Sequence, residues 1–447
     1  MAEAVQRPIH ELTAHEAREL LVAGQADVVG LMKQVSAFVV AADEKVKAFA
    51  HLDDRVVDLQ AEYLQKARTA GELPGPLFGV PIGIKDIIDT QDFPTEYGSA
   101  IHKGRYSVGD ATVVQRLRAA GAVIFGKTVT TEFATFVPGP TRNPHNLEHT
   151  PGGSSSGSAA AVAAGMVPVA IGSQTNGSVV RPASYCGVYG FKPSMGLIPR
   201  TGLLEQSPSL DQVGVFARNI DDIALVAEVI VGDDGHDAGT RGQAPMRLLD
   251  VATAEPPLPP KFCFVKTPWW GQIDPEAQEA YEALVAHLEG CVEMSGLPEV
   301  VSQAAVWHKQ VNEVELAFCL QKEWNHNRDQ LSPALQSRVA GGMQVPVMDY
   351  LLAKDRMSHV MSAFDEYDGI LCPSALGTAP AGLAATGDPI MSTVWSFAGL
   401  PALNLPLMNL SNGLPLGVQL VGRHKHDARL LRSARWLVSE FLRRNES

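Results

Sequence analysis

Apolar positions along the chain switch between two periods. Thr13-x-x-Glu16 forms a capping box behind Leu12, and predicts a helix from Ala14 to about Ala23 that stops at Gly24. Val28 to Asp43 and Arg55 to Ala70 read as two further helices, with a short strand over Val46–Leu52 between them. The apolar stretch from Leu77 to Ile84 breaks that rhythm and predicts a buried strand that delivers Lys85 into hydrophobic surroundings. Asp110 then caps a helix through Ala119, Gly121 ends it, and Ala122–Phe125 is a strand again. Such alternation of helix and strand predicts an α/β sheet.

The second half continues the pattern. Val137–Thr150 is a polar, proline-containing loop, followed by two serine- and glycine-dense loops, Pro151–Ser158 and Gly172–Ser178, around a compact hydrophobic unit, Ala159–Ile171. Ile220–Val231 reads as helix, and Phe262–Val265 as strand. Asp274-Pro275 opens a helix with apolar positions 277, 280, 281, 284, 285 and 288 on one face. Residues 300–360 are mostly helical and polar, Tyr367–Pro373, Ala402–Leu407 and Gly413–Gly422 are strand candidates, and Asp427–Leu442 is a closing helix. One large α/β domain fits better than two. Within it, 1–70 is expected to wrap as helices, 71–232 to form the catalytic core, 233–260 to be a surface connection rich in Gly, Pro and Asp, and 261–447 to complete the sheet and the pocket.

Composition narrows the partners. The 447 residues are 45% hydrophobic and 19% charged, ample for a core, and the net charge of −13 disfavours nucleic acid or an anionic membrane as partner. Five scattered cysteines (Cys186, Cys263, Cys291, Cys319, Cys372) without a C-x-x-C pair read as reduced thiols. No stretch resembles a signal peptide or membrane span, so a cytoplasmic protein is expected. His424 and His426 lack partner spacing for a metal and read as a solvated turn.

Three kinds of chemistry suit the Ser/Gly loops. A phosphate cradle lacks both G-x-x-x-x-G-K-[ST] and a strand-borne G-x-G-x-x-G. Gly153-Ser-Ser155-Ser-Gly157 matches the G-x-S-x-G nucleophile elbow in letters, but no strand precedes it, so Ser155 reads as a decoy. The third possibility joins Lys85 to the loops. A serine needs a base to become nucleophilic, and a desolvated lysine is a base near neutral pH because burial disfavours its ammonium form. The Thr175–Ser178 turn could then present backbone N–H groups to a developing oxyanion.

The run Gly152-Gly-Ser-Ser-Ser-Gly-Ser-Ala-Ala-Ala-Val-Ala with Gly172-Ser-Gln-Thr-Asn-Gly-Ser178 resembles the amidase signature family of serine hydrolases. Two serines separated by 24 residues (178 − 154) and the upstream Gly79-Val-Pro-Ile-Gly-Ile-Lys85-Asp match its pattern, and the resemblance extends from Leu12 to Gly422. It implies a large mixed, twisted β-sheet covered by helices on both faces. It implies Ser178 as nucleophile, Ser154 as a relay after a cis peptide bond, Lys85 as base, and an oxyanion hole at Thr175, Asn176, Gly177 and Ser178. No cofactor or metal is implied; the partner is a small amide or carbamate, and members often form homodimers.

Three positions depart from the common pattern. Asn176 stands where many members have glycine, so its side chain either restricts the loop, projects towards the leaving group or points away. Gln174 stands where many carry Asp. Arg181 lies three residues after the nucleophile, as in malonamidase-like enzymes; it either binds a carboxylate in the pocket or serves as a structural ion-pair partner. Phe136, Val137, Trp395 and Phe397 are candidate pocket walls by the family's layout. The expected activity is cleavage of a C–N bond in an amide or carbamate. The alternatives are a glutamyl-tRNA amidotransferase-like subunit, and a non-catalytic binding protein on the same fold.

Overall fold

The computed structural model describes residues 8–297, 299–361 and 367–445. Eleven strands form one mixed sheet: β1 (Phe49–Leu52), β2 (Pro81–Lys85), β3 (Val123–Thr128), β4 (Val169–Gln174), β5 (Tyr189–Lys192), β6 (Gln212–Ala217), β7 (Phe262–Val265), β8 (Val292–Ser295), β9 (Gly369–Pro373), β10 (Ala402–Asn409) and β11 (Pro415–Val421). Their spatial order is β1-β3-β2-β4-β6-β5-β10-β11-β9-β7-β8. Two parallel groups, β3-β2-β4 and β9-β7-β8, are joined by antiparallel strands. The β2 and β4 carboxyl ends therefore lie side by side, where open α/β sheets place their sites.

Neighbouring residues along one strand enter different cores. Ile124 and Ile171 belong to one hydrophobic cluster, whereas Val123, Phe125 and Ala170 join another with the N-terminal helices. A sheet buried on both faces needs such near-continuous apolar strands. The helix Ser156–Ala163 is covered all round. It fits because of two glycines: a Cβ on Gly157 would sit 2.1 Å from Ala48 O, and one on Gly172 2.8 Å from Ser155 Oγ. These glycines, one in the helix and one in β4, thus serve close chain-to-chain packing.

Element boundaries shift by a few residues from the expected ones, as in Val28–Val46 and Asp54–Thr69. The 233–260 segment is more than a surface connection. Its helix Leu248–Thr253 buries Leu248 and Ala252, and Asp237 binds Arg200 through both carboxylate oxygens at 2.8 and 2.9 Å. Among the described residues no helix is long and apolar enough to cross a membrane.

Candidate active site

Lys85 ends β2 fully buried, with Nζ 2.7 Å from Ser154 Oγ, 3.0 Å from Ser155 Oγ and 2.9 Å from Ser173 Oγ. Among the described residues no carboxylate lies within ion-pair distance of it. Burial pushes its pKa well below the ordinary lysine value, and the Asp211 charge offsets only part of that. That shift favours the neutral amine, the form able to accept a proton.

The first loop supplies Ser154. The Gly153–Ser154 peptide is cis. Its own carbonyl and the next one are both held: Arg181 Nη2 donates to Gly153 O at 2.6 Å, and the Thr131 amide donates to Ser154 O at 3.3 Å. Ser155 begins the helix, and its hydroxyl donates to Ser173 O at 3.0 Å. That bond and the one to Lys85 place Ser155 in the site as a support.

The second loop is a set of aligned peptide groups. Thr175 O faces His308 Nε2 at 3.1 Å, Asn176 O accepts from the Ser396 hydroxyl, and Gly177 O accepts from the Arg181 amide at 3.0 Å. In a trans peptide the N–H points opposite to its carbonyl. Holding these three carbonyls outward turns the amides of Asn176, Gly177 and Ser178 to the other side, and none of them donates to a described residue. Gln174 Oε1 accepts the next two amides, Val179 and Val180, at 2.8 and 3.0 Å, while its Nε2 donates to Ser396 at 2.9 Å. Three successive N–H donors without a described partner suit an oxyanion. Ser178 follows them, half-buried, its hydroxyl unbonded to any described residue.

No motif points to His308. Burial pushes it down to about 4, so it is neutral, and since a carbonyl only accepts, its Nε2 carries the proton. Asp211, pushed up to about 6 by burial, accepts from Thr175 Oγ1 at 2.5 Å and from the Gln206 and Ser207 amides.

Two cavities flank this loop. One, about 510 Å³, is lined by Ser173, Thr175, Gln206, Asp211, Arg200 and Ala134. The other, about 490 Å³, is lined by Asn176, Phe136, His308, Arg338, Asp388 and Thr393 among others. Phe136 lies beneath the Arg338 guanidinium at 4.9 Å. Asn176 lines this cavity while its Oδ1 accepts from Thr393 at 2.7 Å, which ties the loop to the helix Ile390–Phe397.

Val137 is half-buried, its carbonyl accepting from the Glu132 amide, and lines neither cavity. Trp395 and Phe397 are fully buried in a hydrophobic cluster and line neither cavity. Their helix turns Thr393 to the site and these rings to the core. Arg181 is 2% exposed and binds backbone, its Nε donating to Thr386 O at 2.8 Å; Nη1 has no partner among the described residues. A Cβ on Gly177 would lie 3.1 Å from that Nη1, so Arg181 spans both loops.

A family profile described as Amidase matches residues 33–431. The chain is 33% identical to a glutamyl-tRNA(Gln) amidotransferase subunit from Symbiobacterium thermophilum, with 98% of each chain covered. Among solved structures it resembles 6-aminohexanoate cyclic dimer hydrolase complexed with substrate (TM-score 0.86, 25% identity, 97% and 98% of the two chains). It likewise resembles the native peptide amidase of Stenotrophomonas maltophilia (TM-score 0.83, 27% identity, 97% of each chain).

Proposed function

The chain belongs to the amidase family, and from that premise we propose that it cleaves an amide C–N bond through an acyl-enzyme on Ser178. The observation that carries this reading is the fully buried Lys85 amine 2.7 Å from Ser154 Oγ, with no carboxylate beside it among the described residues. As Ser178 attacks the carbonyl carbon, its proton passes to Ser154, whose own proton passes to Lys85. The oxyanion is received by the amides of Asn176, Gly177 and Ser178. The lysine proton returns through Ser154 to the leaving nitrogen, and water releases the acyl group by the same relay.

Arg338, Lys309, Glu313 and Asp388 give the Asn176-side cavity charges of both signs, which suits a small polar or zwitterionic amide better than an aryl or long-chain one. Arg181 would contribute through Nη1 alone, since its other nitrogens hold backbone. That is the form in which a malonamidase-like carboxylate contact would be made here. A carbamate would use the same relay, with carbon dioxide lost afterwards.

A second reading, an amidotransferase subunit that releases ammonia from glutamine, is favoured over carbamate hydrolysis by the names of the curated relatives and by the two-signed cavity. Release of ammonia or amine from glutamine, short primary amides and aryl carbamates by the isolated chain tests both. Turnover of amides by the chain alone supports a free-standing hydrolase; glutamine turnover only with added partner proteins supports the amidotransferase role. Turnover that survives Ser178→Ala excludes the acyl-enzyme.

A further inference from the structure

The three hydroxyls around Lys85 are not equivalent. Ser155 Oγ donates its only proton to Ser173 O at 3.0 Å and accepts from the Ser173 amide at 3.2 Å. Towards Lys85 it can therefore only accept. Ser154 and Ser173 hydroxyls have no other side-chain hydrogen bond among the described residues, so either could donate to the amine or accept from it. A neutral amine has two N–H groups and one lone pair. One N–H goes to Ser155; the other N–H and the lone pair are shared between Ser154 and Ser173.

We propose that Ser173 is a positioning residue for the base: by accepting the second N–H of neutral Lys85 it leaves the lone pair facing Ser154. This rests on the acyl-enzyme reading above. With Ser173 accepting, the Ser154 proton points at Nζ and the relay is loaded. Without that acceptor, the second N–H turns to Ser154, which then accepts, and its proton is directed away from the base. Ser173 also serves the next state. Once Ser178 O–H has passed its proton to Ser154 and Ser154 its own to Nζ, the ammonium has three N–H groups and meets three hydroxyl acceptors. The charged group acting on Lys85 is Asp211; Asp86, next in the chain, is turned to Lys127 and the Glu96 amide.

A fluorophosphonate probe reads this without a known substrate: the Ser178 oxygen bonds to phosphorus, fluoride leaves, and the serine proton goes to Lys85 and then to solvent. Ser173→Ala is expected to slow labelling of Ser178 at least tenfold on the alkaline plateau. It is also expected to move the acid limb of the rate to lower pH by about one unit, because the ammonium loses one of its three hydroxyl acceptors. Ser173→Thr, which keeps the hydroxyl, restores both. An acid limb that stays in place, or a Thr variant as slow as Ala, overturns the proposal, since lost packing alone moves neither the limb nor the Thr/Ala difference. Lys85→Met and Ser178→Ala in the same assay separate the two levels. If both abolish labelling while Ser173→Ala does nothing, only the role of Ser173 fails; if either leaves labelling intact, the acyl-enzyme reading fails.

Discussion

Two lysines sit at the ends of adjacent parallel strands, both fully buried, and the chain uses them differently. Lys85 on β2 meets three hydroxyls and, among the described residues, no carboxylate. Lys127 on β3 meets Asp86 at 3.5 Å, Ile88 O at 2.7 Å and Thr95 Oγ1 at 2.5 Å. Burial lowers both pKa values; with Asp86 beside it Lys127 settles at about 8, while Lys85 has only the Asp211 field to resist. Burial alone does not make a base. A counter-ion turns the same side chain into a clamp, here on the loop that follows Lys85, whereas hydroxyls leave it free to take up a proton.

That contrast can be broken at either end. Lys85→Met should lower Ser178 labelling or amide turnover by roughly 10²–10⁴-fold, the range for losing a general base, while unfolding free energy changes by about 1 kcal/mol at most. Lys127→Met should do the reverse. Stranding Asp86 without its cation is expected to cost about 3–5 kcal/mol in chemical denaturation, with near-normal activity per folded molecule at low temperature. If Lys127→Met kills labelling in a folded protein, or Lys85→Met unfolds it, the division of labour is wrong.

The oxyanion loop sharpens the comparison, since a neutral group positions it too. His308 has its folded pKa at about 4, against 6.5 unfolded. Below pH 6.5 the unfolded chain binds the extra proton, so this contribution is fully present above 6.5 and is lost as pH falls towards 4, by roughly 3 kcal/mol. Urea titrations of wild type and His308→Gln across that window should diverge accordingly; parallel curves would show that His308 titrates normally. Gln174→Ala, which frees the Val179 and Val180 amides, should cost about 1–3 kcal/mol and slow labelling more than that loss of folded protein explains.

Much of the site is legible in the sequence because its chemistry is local there. The α/β alternation, the lysine ending an apolar strand and the two spaced serines are written in short stretches. What is not legible comes from distant segments: His308, Ser396 and Asp211 reach the loop from positions no motif links to it. Ser173 stands near the end of β4, beside the loop, yet only the direction of the Ser155 proton gives it a role. Trp395 reads as a pocket wall in the sequence and is core in the fold, because an aromatic on an apolar helix looks alike whether it faces a cavity or the interior. The 233–260 segment reads as a connection because capping turns use the Asp and Gly residues that loops use.

Everything proposed for the site depends on Lys85 being a neutral base in its hydroxyl cage. The pH dependence of Ser178 labelling by a fluorophosphonate tests this most directly. A neutral Lys85 predicts a plateau across neutral and mildly alkaline pH, an acid limb well below the ordinary lysine value of 10.5, and collapse of the plateau in Lys85→Met. A rate that keeps rising tenfold per pH unit towards 10.5, or a plateau that survives Lys85→Met, would contradict it.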